Sequence, residues 1–433
     1  MVTRLPWLPV EALGPRVFAE VKHAAIFECC KWDPQVEDVC TLSSLPVVLE
    51  AKAWEELVAI ARKLAHETIA AETAILEQPS LLKKLGIPWA LRRRLAHPKS
   101  SVAPGRHSRL IRFDFHFTTE GWRISEANSD VPGGFNEASG FTRLMARRFG
   151  DLTTSGDPVT GMVAAIAKSC GRTGTVALAH ATAFSDDRQV MVFLSRRLEE
   201  AGYQAHLAAP DHLRWADGKA SLATAWASGP VDFVFRFFPA EWLPSLPSRC
   251  GWRHLLGNSE TPLCNPGCAI ISQSKRFPLV WDQLGIPLPT WRAMLPATYD
   301  VRALGKMNRS RDSLVFKPAL GRVGDMIRMQ GVTAQNELPK IDRSIRRHPG
   351  NWVAQERFEA VPMASEFGDL YPCIGVYTLD GSVIGAYGRI GRNPLINHLA
   401  QDAAVLIATN RSSPLDSDTK PYEPLRSIQT VGA

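Results

Sequence analysis

RLIRFDFHFTTEGWRISEANSDVPGGFN, residues 109–136, is the stretch whose reading decides the fold. Its first half alternates: Ile111, Phe113, Phe115 and Phe117 point one way, and Arg112, Asp114 and His116 the other, the period of a half-buried strand. Thr119-Glu120-Gly121 predicts a three-residue hairpin loop closed by a left-handed glycine, and Trp122 to Asn128 then returns as the partner strand. Residues 118 and 122 would close that loop, which puts Asp114 opposite Glu126 and Arg112 opposite Asn128. Two carboxylates directly opposed are unfavourable unless a positive charge lies between them. Oxygen-only ligands favour Mg2+, and an arginine beside Mg2+ suggests polyphosphate. A one-residue slip in register would dissolve the cluster into a solvated face.

Outward from the hairpin, composition sets the class. The chain has 433 residues, 45% hydrophobic and 21% charged, enough for two or three packed domains of an ordinary globular protein. Net charge is +7. The clusters Arg92-Arg93-Arg94 and Arg346-Arg347-His348 read as solvated helix faces, without the interleaved aromatics of a nucleic-acid reader. The N-terminus lacks a signal-peptide core and no run of 18 apolar residues occurs, so a cytoplasmic protein with neither membrane nor nucleic-acid partner is expected. Eight cysteines without paired CxxC spacing read as reduced thiols rather than zinc ligands or disulfides.

Residues 1–50 read as an extended packed arm and residues 51–77 as a long amphipathic helix. A helix over 88–96 precedes the hairpin and one over 136–149 follows it. Strands at 175–181, 203–209 and 231–238 with a helix at 187–201 predict a small βαβ subdomain with a parallel sheet. Asp186 and Asp187 are its candidate N-caps. Arg236 interrupts an apolar strand, as either a substrate cation or an ion pair. Lys275 is expected to open a helix running to Leu284. Lys317 lies on a strand leading into Gly321-Arg322-Val323-Gly324, where glycines let backbone N–H groups approach phosphate and lysine adds a point charge; the order of a Walker A motif is absent. Gln355 and Glu356 sit on a strand at 352–358 that could meet an adenine edge or a ribose. A second hairpin turns at Asp380-Gly381, and Arg389, Arg392 and Asn397 follow on a loop; the two arginines, like Arg236, are either cations for an acidic substrate or ion pairs, and the tail after Asn410 is polar and expected to be mobile.

Together these pieces resemble the glutathionylspermidine synthetase family within the ATP-grasp ligases, over about residues 20–405. The resemblance rests on Arg112-x-Asp114 with Glu126-x-Asn128, on Lys31-Trp32-Asp33-Pro34-Gln35, Asn128 to Pro132, Phe238 to Leu243, Lys275, Lys317-Pro318 with Gly321-Arg322-x-Gly324, and Gln355-Glu356. The carboxylates precede the lysines, as in this circularly permuted branch. The resemblance implies an α/β (α+β) ATP-grasp fold with a small βαβ pre-ATP-grasp subdomain. It implies Mg2+ held by Asp114, Glu126 and Asn128, Arg112 on the transferred phosphate, Lys275 and Lys317 on the α- and β-phosphates, Gly321 to Gly324 with Arg322 as a lid, and Gln355 and Glu356 near the adenosine.

The implied organisation is an arm, helices and metal hairpin in 1–150, a βαβ substrate subdomain in 151–265, the lysine, lid and adenine region in 266–410, and a tail in 411–433. The expected activity is ATP-dependent joining of a small-molecule or peptide carboxylate to an amine through an acyl phosphate. A phosphotransferase or a non-catalytic nucleotide-binding module would need the same nucleotide site. The chain has no room for the amidase domain of bifunctional relatives, shows Asn397-His398-Leu399-Ala400-Gln401 where the family has Asn-x-Ser-Arg-Phe, and Gly133-Gly134 where relatives carry a hydroxyl. Glutathione and polyamine are therefore not implied as substrates.

Overall fold

The computed structural model describes residues 4–32, 34–36, 39–97, 106–306, 310–321 and 326–409. The hairpin forms from Leu110–Thr118 and Gly121–Asn128. Its loop is one residue shorter than expected: Thr118 pairs with Gly121, because the Thr118 hydroxyl donates to the Gly121 carbonyl at 2.6 Å and accepts the Glu120 N–H at 3.1 Å. A β-bulge at Ser125 makes good the missing residue. Phe115 faces Ile124, Asp114 faces Glu126, and Arg112 faces Asn128.

The hairpin is the edge of an antiparallel sheet ordered Gln401–Ala403, Ser382–Gly391, Gly368–Leu379, Leu110–Thr118, Gly121–Asn128. The turn at Asp380-Gly381 has φ of 49° and 83°, the two left-handed residues of a tight two-residue loop. One face of this sheet is apolar. Ile111, Phe113 and Phe115 are fully buried with Leu57, Leu64 and Ile75 of the helix Ala51–Glu77, and each large side chain so buried contributes about 1.5–3 kcal/mol. The opposite face carries Arg112, Asp114 and His116 into a cleft.

A second antiparallel sheet, ordered Thr298–Asp300, Trp352–Glu356, Leu314–Pro318, Arg328–Met329, stands across that cleft. Lys317 on it donates to the Ser125 carbonyl at 3.0 Å, tying the two sheets together at the bulge. The βαβ subdomain has a parallel sheet in the order Leu263–Cys264, Phe233–Phe237, Thr175–His180, Gln204–Ala208, with the helix Ser185–Glu200 in its crossover.

Several expectations are corrected. The first 50 residues are not wholly extended, since Pro15–Glu28 is helical with a proline in its first turn. Asn136–Phe141 is a π-helix leading into a short α-helix, Thr142–Ala146, in place of one regular helix over 136–149. Asp186 and Asp187 lie in the first turn of their helix rather than capping it; the N-cap position is Phe184. Lys275 opens no helix but lies between Ile270–Gln273 and the 3-10 turn Phe277–Gln283. A small antiparallel sheet, Leu213–Ala216, Lys219–Ala223 and Ser228–Pro230, interrupts the subdomain where no strand was expected. The tail after Asn410 lies outside the described residues. Among the described residues no helix is long and apolar enough to cross a membrane. The eight cysteines form no disulfide and six are buried.

Candidate active site

A cleft of about 600 Å3 runs between the two sheets and on to the βαβ subdomain. Arg112, Asp114, Glu126, Asn128, Lys317, Gln355 and Glu356 all line it. Arg112 grips Asp114 with two bonds, Nε to Oδ1 at 2.7 Å and Nη2 to Oδ2 at 3.0 Å, while Nη1 donates to the Gly133 carbonyl at 2.9 Å. Gly375 makes room for that guanidinium, since a Cβ there would lie 2.7 Å from Arg112 Cδ. Asn128 Nδ2 donates to Asp114 Oδ2 at 2.9 Å and to Glu126 Oε1 at 3.3 Å, and Lys275 Nζ pairs with Glu126 Oε2 at 2.9 Å. Lys275 is held in turn by its own N–H on the Ala319 carbonyl at 2.9 Å and its Nζ on the Gly321 carbonyl at 2.7 Å.

The bulge explains the second lysine. An extra residue leaves its carbonyl outside the ladder, and the Ser125 carbonyl accepts Lys317 Nζ, which also donates to Gln355 Oε1 at 2.7 Å. Gln355 Nε2 then donates to Thr298, and Glu356 Oε1 accepts the Tyr299 hydroxyl at 2.8 Å. Arg322 and Gly324 lie outside the described residues.

Charge in this patch is arranged against burial. Burial pushes the Glu126 carboxyl up, but Lys275 and Lys317 outweigh it and bring the group down to about 2. Burial raises Asp114 despite the opposing pull of Arg112. Lys317 is pressed by burial down to about 8, with Glu126 resisting and Lys275 reinforcing the shift. His116, driven to about 4 by burial and then by Lys317, is a neutral imidazole.

Among the described residues no three His, Cys, Asp or Glu side chains gather to hold a metal by themselves. Asp114, Glu126 and the Asn128 amide nevertheless offer hard oxygens on one wall of the cleft. That set suits Mg2+, which uses one or two carboxylates, waters and substrate phosphates rather than an all-protein cage.

Three arginines were candidates for the substrate end, and they separate. Arg389 lies on the strand Ser382–Gly391, not on a loop; it lines the cleft and donates to the Asn397 and Ala400 carbonyls. Arg236 is an interior ion pair instead, 2.5 Å from Asp130 with both side chains fully buried. Arg392 is exposed outside the cleft, on the Phe367 carbonyl.

The far end holds residues that sequence reasoning left unassigned. Lys31 Nζ lies 2.5 Å from Glu137 and 3.1 Å from Asp402, whose other oxygen accepts the Tyr387 hydroxyl at 2.6 Å. The π-helix turns Glu137 to this position. Only the segment Lys31-Trp32 carried a signal here, through the resemblance; residues 137, 387 and 402 meet through tertiary contact alone.

The solved structure of a glutathione synthetase-like effector from Globodera pallida is similar to this chain, with a TM-score of 0.58 at 14% identity, covering 91% of this chain and 97% of that one. D-alanyl-alanine synthetase A from Vibrio cholerae O1 biovar eltor is far looser, at TM-score 0.32 and 14% identity over 51% of this chain and 68% of that one. No curated protein matches the sequence significantly. The fold is thus α/β (α+β), of the ATP-grasp type with a βαβ pre-ATP-grasp subdomain. The glutathionylspermidine synthase preATP-grasp family matches residues 40–408, and the chain belongs to that family.

Proposed function

We propose that the protein is an ATP- and Mg2+-dependent carboxylate-amine ligase. The observation that carries the reading is the ladder-paired cluster Asp114, Glu126 and Asn128, gripped by Arg112 and Lys275 in the same cleft wall that presents Lys317. In this reading residues 1–150 supply the metal hairpin, 151–265 a substrate wall, and 266–410 the lysines, lid and adenine contacts.

Lys275 and Lys317 orient the α- and β-phosphates, and Gln355 and Glu356 lie along the adenosine. Asp114, Glu126 and Asn128 hold Mg2+, which supplies neutralisation of phosphoryl charge. Of the two N–H groups Arg112 keeps beyond those given to Asp114 and Gly133, one meets the Tyr377 hydroxyl and the other is directed to the transferred phosphate. The substrate carboxylate oxygen forms a bond to the γ-phosphorus as the bond to ADP breaks. The amine then attacks the acyl carbon, and the C–N bond forms as phosphate leaves. No protein nucleophile is required; positioning and charge do the work. Arg322 and the Gly321 to Gly324 segment serve as the lid.

The substrate end is supported by unfilled hydrogen bonding around Asp402. Thr41 Oγ1, Glu137 Oε2 and Arg389 Nε are buried without hydrogen-bond partners, on residues that line the cleft. A polar small molecule or peptide seated there would complete them. In this reading the protein is a cytoplasmic enzyme acting on small molecules or peptides rather than on nucleic acid or a membrane.

ADP release, screened over small acids and acidic peptides with and without amines, tests the proposal. Release that requires both an acid and an amine is expected. Turnover with an acid or alcohol alone, leaving a stable phosphorylated product, would replace the ligase with a phosphotransferase.

A further inference from the structure

His116 has no part in the scheme above, yet its position is unusual. It lies two residues beyond Asp114 on the same face of the strand Leu110–Thr118, 4% exposed, and lines the cleft. Its Nε2 is 3.1 Å from Ser125 Oγ, whose hydroxyl donates to the Asp114 carbonyl at 3.5 Å. With the serine proton assigned to that carbonyl, Nε2 carries the imidazole hydrogen and Nδ1 keeps its lone pair. That Nδ1 is buried and has no hydrogen-bond partner. A buried acceptor without a donor is costly, and a native protein keeps one where a ligand or water meets it.

The neighbours say which part of a ligand arrives. Lys317 holds the bulge carbonyl of Ser125 and presents a cation suited to phosphate. The imidazole also packs against Phe358 at 5.3 Å between centroids, and Val315, Ile327 and Met329 line the same cleft, an apolar set suited to a flat base. Between a phosphate and a base a nucleotide has its sugar. A bare lone pair repels phosphate oxygen and accepts from a hydroxyl.

We propose that His116 Nδ1 accepts a hydrogen bond from a ribose hydroxyl of the bound nucleotide, making His116 a binding residue that reads the nucleotide's sugar. The inference rests on the nucleotide-binding reading of this cleft and adds to it a residue that the family motifs above do not include.

The test is calorimetric binding of ATP, 2′-deoxy-ATP and 3′-deoxy-ATP, each with Mg2+, to the full chain and to His116→Phe, with thermal melting as the folding control. The wild type should bind one deoxy analogue about five- to tenfold more weakly than ATP, the worth of one neutral hydrogen bond. His116→Phe should bind ATP more weakly by a similar factor and no longer distinguish that analogue. Equal wild-type affinity for all three nucleotides overturns the assignment, and this comparison decides alone if the variant does not fold. A variant deficit that is the same for ATP and both analogues also overturns it. A wild-type protein that binds no nucleotide overturns the functional reading itself and this inference with it, an outcome distinct from the others.

Discussion

Glu126→Gln removes one negative charge from a patch whose lysines depend on it. Glu126 Oε2 lies 2.9 Å from Lys275 Nζ, and the side chains are 25% and 9% exposed. A carboxyl held at about 2 against an ordinary 4.5 corresponds to roughly 3 kcal/mol of stability by linkage. Partial exposure of Glu126 discounts this to about 2 kcal/mol, between a surface pair and a broken buried pair. Because the folded-state value is depressed, that stability is fully present above pH 4.5 and is lost as pH falls from there through about 2. Thermal unfolding without nucleotide at pH 7 should therefore place the variant roughly 2 °C below the wild type, with the gap closing as pH falls below 4.5. Mg2+-ATP, which stabilises the wild type, should stabilise the variant far less. An unchanged melting temperature at pH 7, or a deficit that persists unaltered to pH 2.5, would refute the claim that Glu126 is the counter-charge of the two lysines.

Lys317 has a folded-state pKa of about 8, below its ordinary 10.5, so nucleotide affinity should fall as pH rises through about 8. Over the same window up to 10.5 the unfolded chain binds more protons, so stability without nucleotide should rise with pH, and Lys317→Met should abolish both trends. Glu126→Gln removes the group that holds Lys317 up, so it should move the alkaline limb of a pH titration of ATP binding to lower pH. Arg236→Met leaves Asp130 charged and fully buried, and urea unfolding should show a loss of about 3–5 kcal/mol; Arg236→Met with Asp130→Leu should recover most of it.

The hairpin shows how far sequence carries and where it stops. Strand alternation made Asp114 and Glu126 neighbours on one face, and they are, although the loop is a residue shorter than the glycine at 121 suggested. The Thr118 hydroxyl tightened the turn, and the bulge at Ser125 restored the register on the far side. Neither effect has a local pattern in the residues. The carbonyl freed by the bulge is what Lys317 grips, so the departure from a regular ladder belongs to the site itself. Arg236 was ambiguous for the same reason: a charge in an apolar strand signals a partner, but only the folded chain shows that Asp130, not a substrate, provides it. Lys31, Glu137, Tyr387 and Asp402 converge from four separate segments, a juxtaposition with no footprint in spacing. The helix Ala51–Glu77 itself was legible because apolar residues recur along it at a 3.6-residue period, but the sheet it packs against was not.

The central claim is that a substrate carboxylate is phosphorylated in this cleft. Its most direct test is hydroxylamine trapping: the full chain, Mg2+-ATP and an acid that supports ADP release, with hydroxylamine in place of the amine. The account predicts ADP, phosphate and a hydroxamate of that acid in equal amounts, with Asp114→Asn and Glu126→Gln yielding none above background. ADP formed with no hydroxamate, or a stable phosphorylated acid or alcohol in its place, would contradict it.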